Sequence, residues 1–224
     1  LDALSAQLGI PVLHVTMNTA AAPDAFRMLG QLLGREAAGE ALSAYCEEIM
    51  ARMDGVMASV GEGNKARLLY CLGENGLNVI AKGSYHAEII DMLSDNLAVV
   101  EAPSSRGTGN EADMEQILMW NPDVILFAPD SIGETVGTEP VWQSVKAISE
   151  GLYAVVPFGP YNWMGFPPSV QRYLGMLWMA QLLYPDACDY DLYEEVARYY
   201  DLFYHCDLTR ARYEELTKGA RFPE

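Results

Sequence analysis

The longest regular pattern of apolar positions in the chain runs from residue 42 to residue 60. Its members recur at intervals of four or three residues and are Leu42, Cys46, Ile49, Met53, Val56 and Val60. This spacing places them on one face of an α-helix, and charged residues such as Glu47 and Arg52 fall off that face. The pattern predicts one helix over residues 36–60, nearly as long as a small domain is wide.

Strand-like and helical segments alternate on the carboxyl side of this helix. Short apolar runs predict strands at 67–72, 77–81, 98–101, 122–127 and 152–157. Helices are predicted at 85–94, 110–121, 141–149, 168–184, 192–204 and 209–217. Before the long helix, the run 9–15 predicts a buried strand, and 24–33 a short helix that stops at Gly34. The alternation predicts an α/β fold with a mostly parallel, Rossmann-like sheet.

Composition and charge restrict the function classes. The 224 residues are 50% hydrophobic and 20% charged, as in ordinary globular proteins. Asp and Glu number 31 against 14 Lys and Arg, and the formal charge of −17 disfavours nucleic acid and anionic membranes as partners. No apolar run approaches the ~20 residues of a membrane span, and the first residues lack the basic start of a signal peptide. We therefore expect either a cytoplasmic protein or a processed or truncated piece of a longer one.

The sequence carries no recognisable catalytic or metal motif. It has no Walker loop, no G-x-S-x-G, no H-E-x-x-H and no C-x-x-C pair. Cys46 and Cys71 fall in apolar patterns and are expected in the core, whereas pairing of Cys188 with Cys206 stays open. We predict a protein without catalytic residues, metal site or cofactor, and keep an α/β enzyme that uses His86 as an alternative.

Three loops combine glycine, aromatic and polar residues and follow predicted strands. They span 82–86, 104–107 and 158–166. Ligands of α/β sheets bind outside the carboxyl ends of strands, and aromatic rings with a few cations suit a bulky ligand. The predicted ligand-binding residues are Lys82, Ser84, Tyr85, His86, Ser105, Arg106, Tyr161, Asn162, Trp163 and Phe166. The aromatic rings would supply flat contact area, and Lys82 and Arg106 would meet ligand carboxylates.

Four segments in the right order resemble one protein family. The segment 114–125 resembles a family pattern E-x-x-L…N-P-D-V-I, and 141–157 is similar to W…A-V-K-x-G-x-V-Y-x-V-P. The segment 167–186 resembles the family's closing helix and 203–209 its tail. The chain thus resembles the C-terminal part of the iron-complex and cobalamin type (class III) of solute-binding protein, the receptor of ABC importers.

The resemblance implies two α/β lobes joined by one long, rigid helix, with the ligand between them. It implies that residues 1–35 are the remnant of a largely missing N-terminal lobe. Residues 36–60 are then the inter-lobe helix, and 61–224 the C-terminal lobe with a helical tail. It also implies a location outside the cytoplasmic membrane, in the periplasm or as a membrane-anchored lipoprotein. The surface left by a missing lobe could pair two copies of the chain.

The resemblance further implies the ligand and the partner. The cargo would be an iron–siderophore, haem or corrinoid complex, delivered to a membrane permease whose arginines meet Glu134 or Glu139. The alternative is a small oxyanion such as molybdate, held by Ser84, Ser104, Ser105 and backbone amides. These two kinds of ligand would depend on different residues. A bulky ligand would depend most on Trp163, and an oxyanion on Arg106 or the serines.

Overall fold

A computed structural model describes residues 1–165 and 167–223 of the chain and divides it within one long helix. The two units are Leu1–Met50 and Ala51–Glu224. The dividing helix, α3 (Glu36–Val60), has 25 residues and the bounds that its apolar stripe predicts. Cys46, Ile49, Met53 and Val56 of that stripe are buried. That this helix joins two lobes stays a prediction.

The first unit contains two further helices and no strand at residues 9–15. Helix α1 spans Asp2–Leu8 and helix α2 spans Ala22–Leu32. The predicted strand at 9–15 is wrong, since Ile10 and Leu13 are 59% and 57% exposed and the run has no strand pairing. A short apolar run forms a strand only if a neighbouring strand accepts its hydrogen bonds, and the run itself does not reveal that neighbour.

The second unit is built on a six-stranded mixed sheet. Its strands are β1 (Arg67–Leu72), β2 (Asn78–Val79), β3 (Asp95–Asn96), β4 (Asn110–Glu111), β5 (Val124–Phe127) and β6 (Tyr153–Val155). The order is β4-β2-β1-β5-β6, with β3 also on β1. The pairs β1–β3, β1–β5 and β5–β6 are parallel, whereas β1–β2 and β2–β4 are antiparallel. The α/β prediction is confirmed, but the sheet is less parallel than predicted.

Among the described residues, six α-helices after α3 accompany this sheet. They are α4 (Glu88–Leu93), α5 (Met114–Trp120), α6 (Lys146–Ser149), α7 (Arg172–Leu183), α8 (Leu192–Tyr204) and α9 (Arg210–Leu216). Helix α5 starts later than predicted because 110–111 pair with β2 and the Asp113 side chain accepts a hydrogen bond from Gln116 N. In the described part of the chain, no helix is long and apolar enough to cross a membrane.

One strand is displaced from its predicted position because a polar residue is buried. Residues 98–101 form no strand, and the pairing with β1 occurs at β3. Asn96 in β3 is 1% exposed, donates from Nδ2 to Ile80 O (3.2 Å) and receives a hydrogen bond from Ala98 N (3.1 Å). A buried asparagine satisfied in this way interrupts the apolar pattern on which the prediction rests.

The core of the second unit lies against the sheet and around α7. Phe127 and Trp142 meet edge to face at 5.4 Å between ring centroids and are both fully buried. Helix α7 is buried over most of its length, from Arg172 to Ala180, and packs against α4 and α8. Cys46 and Cys71 are buried as predicted, and all four cysteines, including Cys188 and Cys206, are free thiols.

Candidate functional site

Two of the three predicted loops meet through His86. The Nδ1 atom of His86 lies 3.1 Å from Gly165 O, and the side chain is 9% exposed. A carbonyl oxygen only accepts hydrogen bonds, so Nδ1 carries the proton and donates it. The loop 82–86 is thereby joined to the loop 158–165. The loop 82–86 follows β2, and β2 is antiparallel to β1. The rule that loops meet at the carboxyl ends of parallel strands therefore does not predict this contact.

The exposed aromatic side chains of the described residues are all on these two loops. They are Tyr85 (49%), Phe158 (54%) and Tyr161 (46%). Tyr85 also meets the His86 ring edge to face, with ring centroids 5.6 Å apart. Phe158 is not among the residues predicted from the sequence, although the segment that contains it is. Only the burial of its neighbours distinguishes it from the other rings of that segment.

A buried charge pair lies beside Tyr85. Arg172, at the start of α7, is 2% exposed and forms a salt bridge with Glu88 at the start of α4. Its guanidinium carbon is 5.4 Å from the centroid of the Tyr85 ring, within cation–π range. The sequence gives no indication of this pair, because its members are 84 residues apart. A buried cation therefore lies against the exposed Tyr85 ring.

The first two residues of the loop 82–86 are held by carboxylates. Gly83 N donates to Asp91 Oδ2 (2.7 Å), and Lys82 Nζ pairs with Asp95 Oδ1 (2.9 Å). Ser84 follows, and its Oγ is buried without a hydrogen-bond partner among the described residues. Lys82, one of the two cations predicted to meet ligand carboxylates, is thus already paired with a carboxylate.

Two predicted residues of the loop 158–165 face inward. Trp163 is 0% exposed and donates from Nε1 to Gly159 O (3.2 Å). Asn162 is 5% exposed, donates from Nδ2 to the Tyr70 hydroxyl (2.9 Å) and accepts from Met164 N (2.7 Å). A ring without exposed surface offers no face to a ligand, so the predicted contact role of Trp163 does not fit its burial.

The remaining predicted residues are not brought to this place by any described contact. Ser105 and Arg106 are exposed, and the hydrogen bonds of their loop stay within residues 102–110. Glu134 is exposed and lies 3.7 Å from Lys218 Nζ, and the Glu139 carbonyl accepts from Trp142 N (3.0 Å). The predicted residue Phe166 lies outside the described residues.

The described residues also bear on metal binding and on catalysis. Within 1–165 and 167–223, no group of three or more His, Cys, Asp and Glu residues is placed to hold a metal ion. The enzyme alternative needs an oriented His86. Its Nδ1 is bonded to a backbone carbonyl, whereas a catalytic triad places a carboxylate there.

Comparison with known proteins identifies the family. A family model described as "Periplasmic binding protein" matches residues 3–157. Over 98 residues, 42% of this chain, the sequence is 32% identical to the molybdate-binding protein MolA of Haemophilus influenzae, and the match covers 27% of that protein.

Two solved structures are similar over nearly the whole chain. An ABC transporter solute-binding protein from Sulfurospirillum deleyianum has a TM-score of 0.87 and 28% identity, with 96% of this chain and 67% of that chain covered. A periplasmic solute-binding protein from Veillonella parvula has a TM-score of 0.80 and 27% identity, with 97% and 67% covered. The chain therefore spans about two thirds of these solved relatives, and its match spans about a quarter of the curated one.

These findings confirm the resemblance inferred from the sequence segments. The matched family and its solved relatives are solute-binding proteins rather than enzymes. Because the family model matches more than half of its residues, this chain belongs to the periplasmic binding protein family.

Proposed function

We propose that the chain is the solute-binding component of an ABC importer, acts outside the cytoplasmic membrane and delivers its solute to a membrane permease. Family membership and the two solved relatives at 27–28% identity support this role. We also propose that Glu134 or Glu139 meets arginines of the permease, that the protein lies in the periplasm or is held at the membrane as a lipoprotein, and that two copies pair.

The solute that the geometry supports best is a bulky metal complex, such as a ferric siderophore, haem or a corrinoid. The observation that carries this choice is the grouping of Tyr85, Phe158 and Tyr161, the exposed aromatic residues of the described chain, on two connected loops. Aromatic rings give a large, stiff apolar contact area with a polar edge, which suits a chelate or macrocycle. Two cations at these loops, Lys82 and Arg172, are already paired with carboxylates.

A tetrahedral oxyanion is the second candidate. It is favoured by the relative at 32% identity, which is named as a molybdate-binding protein. The unpartnered Ser84 Oγ, two residues before His86 in the chain, would be one donor for such an anion. In this case the oxyanion would have to compete with Glu88 for the Arg172 guanidinium.

A ligand panel tests the role and the choice of solute. Haem, ferric siderophores, cobalamin and molybdate are added separately to this chain and to the longest form that its gene encodes. Isothermal titration and thermal unfolding are then measured. A solute at one hundred times its Kd stabilises the protein by about 2.7 kcal/mol, which is a shift of roughly 5–11 °C at this chain length.

Variants of the aromatic residues separate the two candidates. For a bulky complex, Tyr85→Ala and Phe158→Ala should each weaken binding about tenfold. Met119→Ala, a control at the most exposed of the described large apolar residues (84%), should leave the affinity unchanged. For an oxyanion, Ser84→Ala should weaken binding and Phe158→Ala should not. If no member of the panel binds either form of the protein, the proposed cargo classes are wrong.

A further inference from the structure

We propose that Gln171 is a positioning residue that holds the aromatic loop 158–165 in the geometry required to bind solute. The inference rests on the proposed function, because it assigns the exposed rings of this loop to the solute site. Gln171 directly precedes α7 and is 0% exposed. A polar side chain buried so completely must satisfy its own hydrogen bonds within the protein.

Both polar atoms of the Gln171 amide bind the backbone of the loop. Nε2 donates to Gly159 O (2.6 Å), and Oε1 accepts from Tyr161 N (2.9 Å). The two contacts span the turn between the exposed rings of Phe158 and Tyr161. One side chain therefore fixes the backbone on both sides of this turn, and with it the direction in which Tyr161 leaves the backbone.

The Gly159 carbonyl is the centre of this arrangement. Besides Gln171, it accepts hydrogen bonds from Tyr200 OH (2.8 Å) and Trp163 Nε1 (3.2 Å). Three side-chain donors on one carbonyl oxygen leave its orientation little freedom. Burial raises the pKa of Tyr200 to about 12, so this hydroxyl remains a donor throughout the neutral range.

Arg172, the residue after Gln171, contacts the other aromatic loop, 82–86. Arg172 forms a salt bridge with Glu88 and lies over the Tyr85 ring at 5.4 Å. Two consecutive residues at the start of α7 thus connect to both aromatic loops, and the helix sets the spacing between Tyr85 and Tyr161. Loops held in their binding conformation lose less entropy when a solute binds, which increases affinity.

The variant Gln171→Glu tests this role, because its protonated form can reproduce the glutamine. A neutral Glu donates a proton to Gly159 O and accepts from Tyr161 N, whereas a carboxylate faces the carbonyl oxygen without a proton. Burial raises the pKa of such a carboxyl, although the neighbouring Arg172 opposes this increase and Glu88 adds to it. Lowering the pH should therefore restore the hydrogen bonds in the variant.

Gln181→Glu is the matched control. Gln181 lies on the same helix and also donates from Nε2 to a backbone carbonyl, Tyr190 O (2.9 Å). This described hydrogen bond goes to neither of the aromatic loops. Both variants and the wild type are measured at pH 8 and pH 5, for solute affinity by titration and for amide hydrogen exchange of the 158–165 segment without solute. Gln171→Met, of similar volume, is measured alongside.

At pH 8, Gln171→Glu and Gln171→Met should each bind about tenfold more weakly than the wild type, and Gln171→Met, which has no acceptor for Tyr161 N, should exchange the Tyr161 amide at least tenfold faster. At pH 5, only Gln171→Glu should return to within about twofold of the wild type, and Gln181→Glu should match the wild type at both pH values. Wild-type affinity of both Gln171 variants at pH 8 would overturn the proposal. Faster exchange with unchanged affinity would also overturn it, because Gln171 would then hold the loop without any effect on solute binding.

The solute-free exchange measurement separates this inference from the proposed function. A wild type that binds no member of the panel refutes the proposed cargo. Exchange of the Tyr161 amide still shows in that case whether Gln171 holds the loop. Slow exchange in all three variants would refute the holding role whatever the solute.

Discussion

Removal of Glu88 should destabilise the second unit strongly, because the charge that it balances is buried. The Arg172 side chain is 3% exposed and that of Glu88 is 23% exposed. Removing one partner of a buried ion pair costs roughly 3–5 kcal/mol, since the remaining charge stays in a medium of low dielectric constant. Water reaches the Glu88 side of this pair, so we expect the lower end, about 3 kcal/mol, for Glu88→Ala. At this chain length, that corresponds to a decrease in Tm of roughly 6–12 °C.

Urea unfolding of three variants tests this expectation. The double variant Glu88→Ala with Arg172→Met should recover most of the loss, because it leaves no buried charge. A surface pair provides the control: Arg212 and Glu215 are 2.7 Å apart but 61% and 67% exposed, so Glu215→Ala should cost at most about 1 kcal/mol. If Glu88→Ala costs no more than Glu215→Ala, the pair contributes little, and Arg172 cannot be said to be held by it.

Three further outcomes follow from burial. Trp163→Ala should lower the free energy of unfolding by about 3–5 kcal/mol in urea titrations, and a loss below about 1 kcal/mol would contradict its place in the core. Burial raises the pKa of the Cys71 thiol, so a thiol reagent should label exposed Cys206 and leave Cys71 unmodified until the chain unfolds. Burial also raises the pKa of Tyr70 and brings that of Tyr200 to about 12. These hydroxyls stay protonated in the folded state while unfolded tyrosines ionise near pH 10, so stability should fall above about pH 10, and less steeply in Tyr200→Phe.

Part of the candidate site could be predicted from the sequence. The combination of glycine, aromatic and polar residues identified the loops 82–86 and 158–166, and the structure connects them through His86 and Gly165. The third loop, with Arg106, had the same composition, yet its described hydrogen bonds remain local. Composition states what a loop could contact, whereas the path of the chain decides which loops meet.

The sequence by itself determined the long helix α3, the alternation of strands and helices, and the family, because these depend on periodicity and on the order of segments along the chain. Only the tertiary structure decided which aromatic rings are exposed. Trp163 and Phe158 lie five positions apart in one loop, and one is fully buried while the other is half exposed. Only the tertiary structure revealed the Arg172–Glu88 pair as well. Burial and ion pairing depend on neighbours that are distant along the chain, and the local sequence does not identify those neighbours.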